Sequence, residues 1–368
     1  MKKWIAGLTL LSFYHSSFAC TAVNIKANDG TVIAGRTMEW PIDMKWTINS
    51  IPQGTSFRTT APETLKLPAL QFITKYDILG VSSGVIPGAP ALLEGQNSAG
   101  LGMSGNFLPG FTEYQTVTAK DVDYVSVMDF GTLTLGMFAN VAELIKELPR
   151  YKVWYDSSLD SGPTPPWLHF VFTDRTGASI VVEFVKGQMR IHDNLAQVLT
   201  NAPTYDWHLT NTRNYLSLTK LGPAPVLVNG QTVTEVGQGG GLLGVPADYT
   251  PPSRFIRAAY LRQMATPPSD REESVQLTAH ILNNVDIPIG VAASKSGDKV
   301  VSDYTQWVAI KDLTHQQWHI SNYENRTSYV TLDLNQIFDS GKPGVWVIDQ
   351  LPYQNIDITT ELINQSMK

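Results

Sequence analysis

The chain has 368 residues, 43% of them hydrophobic, and a formal net charge of −6. An acidic balance without a basic block argues against nucleic acid as a partner, because phosphate binding takes clustered Lys and Arg. The apolar content suffices for a large core, and a single cysteine, Cys20, excludes an internal disulfide.

In chain order, residues 1–19 read as a secretory signal peptide. Lys2 and Lys3 form the basic start, residues 4–14 a short apolar run, and Ser17-Phe18-Ala19 the small residues of a cleavage site. Ser17 is not the branched apolar residue that a lipoprotein leader prefers there. The run is too short to span a bilayer, and no later stretch predicts stable membrane insertion. A cut between Ala19 and Cys20 would leave residues 20–368 as one periplasmic or secreted domain, with Cys20 at its N-terminus.

Residues 21–26 and 32–36 flank Asn28-Asp29-Gly30, a strong hairpin signal. With Gly30 left-handed in a three-residue loop, Ala27 pairs with Thr31 and Cys20 falls opposite Met38. Arg36 then shares a face with Cys20, and Glu39 is placed to hold Arg36. A two-residue loop would reverse the alternation and bring Glu39 beside Cys20 instead. Asn140-Val-Ala-Glu143 reads as a capping box opening a helix that Pro149 stops. Residues 169–172, 179–185 and 188–192 predict a meander. Residues 221–249 form a Gly- and Pro-rich excursion. Helices are expected over 253–264 and 274–283, and strands over 300–310, 318–321 and 328–332. Strands, then helices, then strands point to a layered α+β domain.

A cysteine with a free α-amine holds nucleophile and base on one residue. Thiols ionise near pH ~8.5 and α-amines near ~7.7–8.0, so the amine can take the thiol proton and return it to a leaving amine. A serine alternative, Gly80-Val81-Ser82-Ser83-Gly84, fits G-x-S-x-G, but Pro87 and Pro90 break the helix that this motif needs. The seven histidines are scattered, so no metal site is expected.

Several segments in order resemble the choloylglycine hydrolase family (bile salt hydrolases and penicillin V acylases) of the N-terminal-nucleophile hydrolases. They are Cys20-Thr21, Gly35-Arg36-Thr37-Met38-Glu39-Trp40, the "GNFLPGFTEY" of residues 105–114, the "VLTNAPTYDW" that opens at Val198, and the "GLLGVPADYTPPSRF" that opens at Gly241. The resemblance implies a four-layer αββα sandwich, no cofactor, and a homo-oligomer, often a homotetramer, with the 221–241 stretch as its assembly loop. It implies Cys20 as nucleophile and, through its amine, base, with Arg36 beside the thiol. Glu39 stands where the family usually has an Asp that contacts the amine. Asn201 matches an oxyanion-hole asparagine and Arg254 a second active-site arginine. Asn106 matches a further oxyanion donor, in competition with Phe107. The implied reaction is hydrolysis of linear amides with a bulky apolar acyl group, a conjugated bile salt or penicillin V. Fatty-acyl amides such as acyl-homoserine lactones form a second reading, and a non-enzymatic exported binding protein a third. Trp40, Trp46, Phe107, Phe111, Tyr205 and Trp207 are the expected walls of the acyl pocket.

Overall fold

The Asn28-Asp29-Gly30 turn sets the register on which the site is built. In the computed structural model, which describes residues 19–86, 90–156, 159, 165–296, 298–354 and 356–366, Gly30 has φ +95°. Its N–H donates to Ala27 O at 3.1 Å, and Ala27 N–H donates to Thr31 O at 2.9 Å. Only a residue without Cβ adopts that left-handed turn freely. Strands Cys20–Lys26 and Val32–Trp40 therefore pair with Cys20 opposite Met38. Residues 1–18 of the leader reading, and Pro87 of the serine reading, lie outside the described residues.

Around this hairpin runs a sheet in the order Val198–Leu199, Cys20–Lys26, Val32–Trp40, Lys299–Asp312, Gln317–Asn322 and Val330–Asp333, with Ala292–Ser296 also on Lys299–Asp312. A second, eight-stranded sheet has Leu168–Thr173, Gly102–Phe107 and Leu92–Asn97 side by side near its middle. Helix Val127–Met137 packs on the second sheet; Pro251–Met264 and Arg271–Asn283 pack on the first. The result is a four-layer αββα sandwich. Helix Arg271–Asn283 approaches the first sheet so closely that a Cβ on Gly35 would lie 2.3 Å from Thr278 Cγ2.

Two apolar clusters fill the layers. One runs between the sheets and under Val127–Met137 and includes Met38, Trp40, Trp307, Phe130 and Phe170. The other lies between the first sheet and its helices and includes Val23, Ile33, Phe255 and Leu282. The cap forms at Asn140, whose Oδ1 accepts from Glu143 N–H at 2.9 Å, but the return bond of the expected capping box shifts by one residue, Glu143 Oε2 accepting from Ala139 N–H at 2.8 Å. Helix Val127–Met137 escaped the sequence reading. Eight of its 11 residues are buried, so it lacks the polar face that makes a helical period visible. The excursion carries a hairpin, Val226–Val228 with Gln231–Val233, exposed on every residue. Among the described residues no helix is long and apolar enough to cross a membrane.

Candidate active site

Alternation along Val32–Trp40 turns Arg36, Met38 and Trp40 into the space between the sheets, where Cys20 also points. Cys20 is buried, with Sγ 3.4 Å from Arg36 Nη2 and 3.8 Å from Met38 Sδ. The second sheet holds Arg36 in place: Nη1 donates to Leu93 O and Nη2 to Gly105 O, each at 2.7 Å. The guanidinium lies 5.3 Å from the centroid of the Trp307 ring. This is the arrangement expected from a three-residue turn.

Glu39 corrects one expectation. It does not hold Arg36, because residues an odd number apart on a strand face opposite sides. Its Oε1 accepts from Thr305 Oγ1 at 2.7 Å, and its buried Oε2 has no partner. Burial pushes its carboxyl up to about 7, against the opposing pull of the Arg254 charge. The carboxylate near Arg36 is Glu94, whose Oε2 lies 3.5 Å from Nη1. Sequence reasoning missed it, since Glu94 belongs to the other sheet.

The main chain of Cys20 is held separately. Its N–H donates to Asn201 Oδ1 at 2.7 Å, in place of the expected Glu39 contact. Arg254 donates to Cys20 O at 2.6 Å, and to Thr21 Oγ1 and Asn201 Oδ1, each at 2.7 Å. Asn201 Nδ2 donates to Phe107 O at 2.9 Å, so its side chain already bridges three groups. Burial lowers the Arg254 pKa from its usual value.

Behind Asn201 stands a polar brace. The His208 Nε2–H donates to Asn201 O at 2.9 Å, and burial lowers His208 to about 4, which keeps the imidazole neutral. His169 lies between Glu183 Oε1 at 3.0 Å and Thr200 O at 3.1 Å. Asn106 Nδ2 donates to Thr200 O at 2.9 Å and to Leu199 O at 3.3 Å. Asn106 is thus turned to the Asn201 segment, whereas Phe107, the next residue on its strand, lines the cavity.

That cavity holds about 50 Å³ and is walled chiefly by Met38, Trp40, Met44, Trp46, Leu92 and Phe107, with Cys20 and Arg36 on its surface. Trp40 and Phe107 meet edge to face at 4.8 Å between ring centroids. Trp46 is fixed by its Nε1–H on Gln306 Oε1 at 2.6 Å. Phe111, Tyr205 and Trp207 do not line it. Tyr205 is buried on the far side of the Asn201 segment, its hydroxyl donating to Asn194 Oδ1 at 2.9 Å. Phe111 and Trp207 are 41% and 43% exposed. Ser82, the serine alternative, has Oγ against Asn49 Nδ2 at 3.0 Å and Thr47 Oγ1 at 3.4 Å, neither of which is a base.

Residues 20–343 match the family described as linear amide C–N hydrolases, choloylglycine hydrolase family. The bile salt hydrolase/transferase of Clostridium perfringens is 32% identical over 319 residues, covering 86% of this chain and 93% of that protein. A crystal structure of a variant conjugated bile acid hydrolase from Clostridium perfringens superposes with TM-score 0.79 at 29% identity, covering 92% of this chain and all of that one. The penicillin V acylase of Agrobacterium tumefaciens superposes with TM-score 0.70 at 18% identity, over 92% of this chain and 98% of that one, a likeness of fold.

Proposed function

The chain belongs to the choloylglycine hydrolase family of linear amide C–N hydrolases, and on that premise we propose that it is an exported cysteine amidase whose nucleophile is Cys20. The observation that carries this reading is the Cys20 sulfur, 3.4 Å from the Arg36 guanidinium on the wall of an apolar cavity. The guanidinium places an N–H donor and a positive charge beside the sulfur. While residue 19 is attached, the Cys20 nitrogen is a peptide N–H and cannot accept a proton. Removal of residues 1–19 turns it into an α-amine, and export by a cleaved leader would supply that step.

The α-amine takes the thiol proton, and Sγ adds to the substrate carbonyl. The C–N bond then breaks as the proton passes to the leaving amine, and water hydrolyses the thioester to free acid and thiol. Asn201 Oδ1 and Arg254 keep the nucleophile's own nitrogen and carbonyl oriented. The oxyanion is assigned to the Asn201 Nδ2 hydrogen that does not go to Phe107 O.

The apolar walls suit a bulky hydrophobic acyl group, as in conjugated bile salts or penicillin V. The small volume favours a second reading. A cavity of about 50 Å³ is far below the roughly 300–1,000 Å³ of pockets that enclose drug-sized ligands. A flexible fatty-acyl chain, as in a long-chain acyl-homoserine lactone, enters so small a cavity with less rearrangement than a rigid hydroxylated steroid. The exposed excursion, with Leu221 at 71%, Leu227 at 76% and Leu243 at 82%, supports a homo-oligomer formed through it.

Amine release from glycocholate, phenoxymethylpenicillin and a long-chain acyl-homoserine lactone, by the protein beginning at Cys20 and by Cys20→Ala, tests the proposal. Cysteine-dependent release from one or more is expected. Equal release by Cys20→Ala, or by a protein that still carries residue 19, overturns it.

A further inference from the structure

Lys311 is the one side chain ending in an ammonium group among the largest fully buried side chains of the described residues, and the proposed chemistry makes no use of it. It lies on Lys299–Asp312, opposite Ala34 of the Cys20-bearing sheet. Its Nζ contacts Glu94 Oε1 and also donates to Met103 O at 2.9 Å and Ser104 Oγ at 3.3 Å. Glu94 presents its other oxygen to Arg36 Nη1 at 3.5 Å, the long end of hydrogen-bond range. Lys311, Glu94, Arg36 and Cys20 Sγ thus form one buried series between the sheets.

Charge decides what the series does. With one proton held between them, Glu94 and Lys311 are neutral overall wherever it sits. Arg36 then keeps a full positive charge, with no free carboxylate to cancel it, 3.4 Å from Cys20 Sγ. Without Lys311, Glu94 would be a lone buried carboxylate whose nearest cation is Arg36, and their pairing would remove that charge from the sulfur.

We propose that Lys311 is a positioning residue for the reaction: by engaging Glu94 it keeps that carboxylate from neutralising Arg36 and so leaves the guanidinium charge for the Cys20 sulfur. The inference rests on the reading of Cys20 as nucleophile. Burial and the Arg36 charge hold the Lys311 pKa well below the usual lysine range.

The test compares Lys311→Met with the double variant Glu94→Gln/Lys311→Met, each beginning at Cys20. The readouts are iodoacetamide alkylation of Cys20 at neutral pH, kcat and KM on whichever of the three amides the parent hydrolyses fastest, and the thermal midpoint. Lys311→Met is expected to slow alkylation and lower kcat by about tenfold to a hundredfold, with KM within about twofold. The double variant removes the cancelling carboxylate as well, and is expected to recover alkylation to within about fivefold of the parent. It replaces a buried ion pair by uncharged groups, which folded proteins commonly tolerate, so it remains informative if the single variant does not fold. Parent-like alkylation in folded Lys311→Met, or a double variant as slow as the expected single, overturns the inference. Cys20→Ala separates the two levels. If it is inactive while Lys311→Met turns over like the parent, this inference alone fails; if it is active, the nucleophile reading fails with it.

Discussion

Two fully buried arginines meet Cys20 from different directions, and they do different work. Arg36, on the inter-sheet side, touches the sulfur, bonds to two carbonyls of the second sheet and stands 3.5 Å from Glu94 Oε2. Arg254, from helix Pro251–Met264, touches no sulfur and bonds to Cys20 O, Thr21 Oγ1, Asn201 Oδ1 and Tyr249 O. The carboxylates near them differ in the same sense. Glu94 has both oxygens engaged, whereas Glu39 has one oxygen on Thr305 and the other without a partner. Equal burial therefore produces an ion-paired cluster on one face of the Val32–Trp40 strand and a carboxyl pushed up to about 7 on the other. The teaching is that partners, rather than depth, set the charge beside the sulfur.

The largest effect that would test this division is on stability. Arg254→Met removes the donor from Cys20 O, Thr21 Oγ1 and the half-buried Tyr249 O, and one of two donors from Asn201 Oδ1, and is expected to cost roughly 3–5 kcal/mol, read from urea unfolding. Its folded fraction should still alkylate at Cys20 within a few-fold of the parent. Alkylation slowed as much as in an Arg36 variant would end the distinction between the two arginines.

Glu39 gives the next effect, and its sign follows from its raised folded value. Between the ordinary 4.5 and about 7 the folded chain holds a proton that the unfolded chain has lost. Its contribution is fully present below pH 4.5 and is lost as pH rises through 7, by at most ~3 kcal/mol. Glu39→Gln cannot lose that proton, so its stability relative to the parent should improve between pH 5 and pH 8. An unchanged difference across that range would mean that Glu39 is ionised in the fold.

The smallest effect sharpens the comparison from the other side. Arg36→Met should slow Cys20 alkylation by about tenfold to a hundredfold. A parent-like alkylation rate would detach Arg36 from the sulfur chemistry.

Much of the site was legible because it is local. The Asn28-Asp29-Gly30 turn places Cys20 opposite Met38 and Arg36 diagonally beside it, and strand alternation needs nothing distant to complete the geometry. The same alternation excluded Glu39 from holding Arg36, a consequence that the pattern already contained. Asn106 and Phe107 divide in the same way, one to the Asn201 segment and one to the cavity. The aromatic walls were only half legible. Trp40 and Trp46 follow the hairpin directly, while Tyr205 and Trp207 begin a helix beyond Asn201 whose direction no short-range rule supplies.

By itself, then, the amino-acid sequence pointed to the family through segments spread from Cys20 to Phe255, and to a first hairpin that pairs one thiol with one guanidinium when its turn has three residues, because strand alternation acts within about twenty residues. Only the tertiary structure decided which carboxylate faces Arg36, how Lys311 reaches Glu94 across 217 positions of sequence, and that Asn201 holds the Cys20 nitrogen. Those contacts arise where two sheets and a helix close on one another. Their energies depend on the exclusion of water from a layer that does not exist until all of its walls are in place.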